Sequence, residues 1–107
     1  MTSMIEQRRR QLEKETERKC VQYATDKAWM PIKTDLAARG WPDRLFFGPS
    51  SQLLIVEFKR PGYKPTKKQQ AIHDRLAALG HPVSVIFEFR EFRKLIDASE
   101  LLNQTAS

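Results

Sequence analysis

Apolar residues recur at helical spacing in the first quarter of the chain, where Cys20, Val21, Ala24 and Ala28 form a stripe free of Gly or Pro. A helix over about 4–28 is predicted, its early turns (EQRRRQLEKETERK) almost wholly polar. The stretch WMPIKTDLAARG loses that regularity. Pro31 argues for a break and Gly40 for a sharp turn. A short aromatic strand over 44–47 and a second, LLIVEFK, over 53–59 follow, and the turn GPSS between them makes a hairpin. After the loop RPGYKPTK a helix begins at Thr66 and ends before Gly80, with Ile72, Leu76 and Leu79 as its apolar stripe. PVSVIFEF reads as a third strand and REFRKLIDASELL as a last helix, ahead of the polar tail NQTAS. Helix, strand, strand, helix, strand, helix predicts an α/β fold, a small sheet covered by helices on both faces.

At 107 residues, 40% hydrophobic and 30% charged, the chain is expected to form a single folded domain over 1–107. Its 19 Lys and Arg against 13 Asp and Glu give a formal charge of +6, which puts nucleic acid first among partners to consider. Cys20 is the lone cysteine, so neither an intramolecular disulfide nor a cysteine-rich zinc site is expected. It reads as a small buried hydrophobe. No apolar run follows MTSMIEQRRR as a signal peptide requires, and none approaches the roughly 18 residues that span a bilayer. An intracellular protein without membrane contact is the expectation.

Charge enters where the pattern predicts burial. Strand alternation puts Leu53, Ile55, Glu57 and Lys59 on one face of LLIVEFK and Leu54, Val56 and Phe58 on the other. The first face becomes charged at the C-terminal end of the strand, where open α/β sheets gather their chemistry. Asp43 opens the preceding strand, and a hairpin closed at GPSS brings it beside Glu57. Two such carboxylates repel unless a cation sits between them. A hard divalent ion such as Mg²⁺ meets that need with oxygen ligands and retained water. Lys59 suits holding an attacking water or neutralising a phosphate oxygen as charge builds. Metal and lysine beside a basic loop are what phosphodiester hydrolysis requires. The plain alternative makes Glu57 and Lys59 a solvated strand end and Asp43 a turn acid. It suits an isolated E-x-K better than one coupled to a PD on the neighbouring strand.

The loop after this strand sets Lys59, Arg60, Lys64, Lys67 and Lys68 within ten residues, a cluster suited to phosphate contact; a solvated loop is the alternative. Lys67 and Lys68 lie at a helix N-terminus, itself favourable for an anion. Tyr63 stacks on a base or packs beneath the loop. Arg8, Arg9 and Arg10 meet DNA or line a solvated helix face. By spacing alone Thr66-x-x-Gln69 is a capping box. His73, one turn after Gln69, reads as a surface or boundary residue, with a place at the rim of the site as the alternative. Trp29 and Trp41 read as packing residues, and Phe87, Phe89, Phe92, Leu95 and Ile96 as core or dimer surface.

Together, GWPDRLFF, LLIVEFKRPG and KPTKKQQAIHDRLAALGHPVSVI resemble the PD-(D/E)XK nucleases and, more narrowly, the virus-type replication–repair nuclease (VRR-NUC) domain, over about 17–89. The resemblance implies a three-layer α/β/α restriction-endonuclease-like fold with a small mixed central sheet. It implies Mg²⁺ or Mn²⁺ held by Asp43, Glu57 and the Phe58 backbone carbonyl, with Lys59 catalytic. Gln69 matches a glutamine that such nucleases use in the site, and Glu17 on the first helix an acid that completes it. Arg60, Tyr63, Lys64, Lys67 and Lys68 become candidate DNA contacts. One departure is DKAWMPIK after the first helix, where many relatives carry a glycine. Standalone members imply a homodimer cutting branched DNA, four-way junctions first, in the cytoplasm of a bacterial cell or a virus-infected host. Flap or single-strand-end cleavage, or a catalytically silent DNA-binding module, are the alternatives.

Overall fold

The computed structural model describes residues 3–105, without the side chains of 103–105. Helix α1 spans Met4–Asp26, and the Ser3 side chain caps it by accepting from the Glu6 N–H at 3.1 Å. Its other end is a Schellman turn: the Ala28 N–H donates to the Thr25 carbonyl and the Trp29 N–H to the Ala24 carbonyl. Ala28 takes φ 67° to do so. In the slot where glycine was expected, an alanine adopts the left-handed conformation, at a cost of about 1–2 kcal/mol. The turn delivers Trp29 into the core.

Strand β1, Met30–Lys33, comes next. This corrects the break expected at Pro31. β1 lies at the edge of a four-stranded sheet of order β1-β2-β3-β4, where a residue without an N–H is tolerated. A 3₁₀ turn, Ala37–Arg39, leads to β2, Arg44–Phe47, and β3, Leu53–Phe58. β2 pairs antiparallel with both β1 and β3, with Arg44 opposite Val56 and Phe47 opposite Leu53 in the expected hairpin. Helix α2, Lys67–Ala78, crosses over to β4, Val83–Ile86, which pairs parallel with β3. The expected third strand is therefore shorter. Phe89 already opens α3, Phe89–Thr105, where the Glu91 carboxylate accepts from the N–H groups of Phe87 and Glu88.

The result is the expected α/β/α arrangement around a mixed sheet. Phe46, Val56 and Phe58 meet Cys20 and Ala24 of α1 and Phe92 and Ile96 of α3, all buried. The Phe46 and Phe92 rings lie 4.8 Å apart between centroids. Trp29 joins this cluster across Gly48, where a Cβ would fall 2.6 Å from the indole. Phe92 and Ile96 are thus core, resolving one open alternative. Cys20 is fully buried, and burial, with Glu17 nearby, pushes its thiol up to about 12, as befits an inert hydrophobe.

The opposite face carries α2. Its inward side is Gln69, Ile72, His73 and Leu76, whereas Leu79 is 74% exposed and leaves the expected stripe. No helix among the described residues is long and apolar enough to cross a membrane.

Candidate active site

The chemistry collects where β2 begins and β3 ends. Gly40, at φ 84°, turns the chain out of the 3₁₀ segment, and it packs so closely on α2 that a Cβ would meet Lys68 at 2.9 Å. Pro42 is buried. The Thr34 hydroxyl donates to the Pro42 carbonyl at 2.6 Å, and the Thr34 N–H donates to the Asp43 carbonyl at 3.1 Å. Thr34, which the sequence did not single out, thereby clamps the backbone that presents Asp43. Trp41, expected to pack, is 38% exposed and borders an apolar groove of about 480 Å³ with Ile32, Leu36 and Leu53.

Continuing the register from Arg44 opposite Val56 by one position sets Asp43 opposite Glu57. The Asp43 Oδ2 accepts the Phe58 N–H at 2.8 Å. An extended residue sends its N–H and C=O to the same side of the strand, so the Phe58 carbonyl faces Asp43 too. Asp43, Phe58, Lys59, Gln69 and Glu17 line one open cavity of about 290 Å³, together with Arg10, Glu13 and Lys14 of α1. Burial is the main cause that raises the Asp43 carboxyl above its usual range. The Phe58 N–H pulls it back, Glu17 raises it, Lys59 lowers it and Glu13 raises it.

Glu57, opposite Asp43, is 1% exposed and so departs from a plain strand end. Its Oε1 is 3.1 Å from the Nε2 of His73 on α2, and its Oε2 is buried with no hydrogen-bond partner. Burial raises its carboxyl above the ordinary value; the His73 hydrogen bond and charge and then Lys59 lower it, and Asp43 raises it. Lys59 therefore acts electrostatically on both carboxylates. His73 is 6% exposed, which corrects its reading as a surface or boundary residue. One signal for it was available: it falls four residues after Gln69 and three before Leu76, on the inward stripe of α2.

The remaining candidates divide. Gln69 completes the capping box, its Oε1 accepting the Thr66 N–H at 2.8 Å, while the same residue lines the cavity. Both readings of Gln69 meet in one side chain. Glu17 lines the cavity but is paired with Arg44. Glu13, one turn before Glu17 on the same face of α1, accepts the Arg60 N–H at 3.2 Å, and that four-residue spacing was the signal that could have found it. The Arg60 side chain lines a different cavity, with Lys19 and Phe89. The Arg9 guanidinium stacks 4.6 Å over the Tyr63 ring, which ties the basic loop to α1 and occupies one face of that ring. Lys64, Lys67 and Lys68 are exposed. Among the described residues no three His, Cys, Asp or Glu side chains converge as a ready-made metal cluster. Two carboxylates, a main-chain carbonyl and retained water are nonetheless a donor set of the kind Mg²⁺ accepts, and the orphaned Glu57 Oε2 is an oxygen without another partner.

No protein-family model matches the chain. A protein of Acyrthosiphon pisum secondary endosymbiont phage 1, described as "Putative nuclease p44", is 52% identical over 48 residues, 45% of this chain and 52% of that relative. The matched stretch thus spans about half the length of the phage protein. A solved structure described as a VRR_NUC domain superposes with a TM-score of 0.71 at 26% identity, over 79% of this chain and 94% of the other. The resemblance read from the motifs thus holds in three dimensions, as a likeness to the VRR_NUC fold.

Proposed function

We propose, from a chain with the VRR_NUC fold, that it is a divalent-metal-dependent endonuclease hydrolysing phosphodiester bonds in DNA, with four-way junctions as its preferred substrate. The observation that carries this reading is the pair of desolvated carboxylates, Asp43 and Glu57, with Lys59 acting on both and with Asp43 and Lys59 lining an open cavity. Asp43, Glu57 through its unpartnered oxygen, and the Phe58 carbonyl would hold Mg²⁺ or Mn²⁺. When bound, the ion supplies Lewis acidity toward phosphate and water. Lys59 positions the water or meets the charge that builds on the phosphate. Gln69, held at the cavity wall by its own cap, orients water or phosphate. Glu17 tunes the site through Asp43, and Arg10, Lys14 and the exposed lysines of the 60s loop supply phosphate contacts.

Symmetric cutting of a junction needs two sites, which a two-fold dimer provides. The exposed apolar residues Ile32, Trp41 and Leu53 supply surface that such a dimer would bury.

Labelled four-way junction, flap and linear duplex, incubated with Mg²⁺ or Mn²⁺, test the reading beside Asp43→Ala and Lys59→Ala proteins. Paired nicks in the junction, reduced at least about 10²-fold in both variants, are expected. Faster flap cutting would move the assignment to end processing. Junction binding without any cleavage would replace the enzyme with a binding module.

A further inference from the structure

Glu57 and His73 are the two buried polar or charged side chains among the described residues, and they face each other across the sheet–helix boundary. A buried polar pair is a poor way to hold a helix on a sheet, because apolar residues of similar volume do so at least as well. The neighbours on one side of the pair, Ile55 on β3 and Leu76 on α2, are apolar. The pair is also incomplete. His73 engages only Oε1, and the buried Oε2 has no hydrogen-bond partner, a costly arrangement for a desolvated oxygen.

We infer that His73 is a positioning residue: its Nε2–H holds Glu57 by Oε1, so that Oε2 is the oxygen offered to a cation shared with Asp43. The inference rests on the metal reading above. With Glu57 ionised, a carboxylate can only accept, so Nε2 is the donor and the carboxylate plane is set by α2 rather than by β3 alone. Gln69 stands one turn before His73 on the same helix and lines the cavity. Helix α2 therefore carries two supports, Gln69 at the cavity wall and His73 on Glu57. Partners of this kind around a metal ligand typically alter affinity about 10–100-fold when removed.

The test is Mn²⁺ binding, by titration calorimetry, to the wild-type chain and to Asp43→Asn, His73→Met and His73→Gln. Gln places an N–H donor close to where Nε2 lies; Met fills similar space without one. Wild type should bind and Asp43→Asn should not. His73→Met should bind at least about tenfold more weakly and His73→Gln within about threefold of wild type. The chain has two histidines, so a second readout needs no variant. On adding Mn²⁺, the imidazole resonances of His73 should broaden well before those of His81. Should His73→Met not fold, that broadening decides, and equal broadening overturns the inference. Wild-type affinity in folded His73→Met overturns the role of His73 and leaves the metal reading standing. Absence of Mn²⁺ binding to the wild-type chain overturns both.

Discussion

The two faces of the sheet are built to opposite specifications. On the α1–α3 side, Cys20, Ala24, Phe46, Val56, Phe92 and Ile96 are fully buried, without a polar side chain among them. On the α2 side the buried residues include Glu57 and His73, while Ile32 at 42% and Trp41 at 38% remain exposed. Hydrophobic burial, the main favourable term in folding, is thus concentrated on one face. The other face retains desolvated carboxylates and open apolar surface, both unfavourable to an isolated chain and useful to one that binds ligands. Along β3, core packing and the Glu57 carboxylate share the strand but not its side, since alternate residues serve opposite faces.

Truncation should break this contrast most visibly. Phe92→Ala, on the closed face, is expected to cost about 3–5 kcal/mol, whereas Trp41→Ala on the open face should cost less than about 1 kcal/mol. Urea denaturation of the two variants compares them directly, and equal losses would dissolve the distinction.

Neutralising the site should act in the opposite sense. Because burial raises the Asp43 carboxyl, its folded form holds a proton more tightly than its unfolded form. Its contribution to stability is full below the ordinary carboxylate range and is lost as pH rises through the raised value. Asp43→Asn keeps an oxygen for the Phe58 N–H, so at pH 7 it should melt about 2–5 °C above wild type while losing cleavage. The difference should shrink as pH falls toward 4. Thermal melts across that range, without divalent ions, measure it; a lower melting point at pH 7 would contradict a desolvated carboxylate.

The smallest effect belongs to the turn that anchors the closed face. Ala28 holds φ 67°, so Ala28→Gly should stabilise the chain by about 0.5–1 kcal/mol, the relief of left-handed strain outweighing the added freedom of the unfolded chain. Chemical denaturation resolves a change of that size, and cleavage should stay as it is.

Periodicity located α1, the β2–β3 hairpin and α2 because each of those segments repeats its apolar residues at its own period. It failed at β1, where Pro31 is tolerated only because that strand lies at the edge, a property of strand order rather than of local sequence. It also lengthened β4 into Phe89, whose place at the start of α3 depends on the Glu91 cap. The PD and E-x-K residues were legible because alternation and a short hairpin leave them few places to go. What surrounds them was not. Thr34 clamping Asp43, Glu13 meeting the Arg60 amide and Arg9 stacking on Tyr63 all join segments distant in sequence.

By itself, then, the sequence determined which residues carry charge at the end of β3 and that Asp43 would stand beside Glu57, since both follow from local periodicity and one turn. The tertiary structure alone decided that Glu57 is buried with one oxygen engaged and one orphaned. That outcome depends on the rotation of α2 against the sheet, which places His73 against Glu57. Helix rotation is set by packing against neighbours that no local pattern specifies.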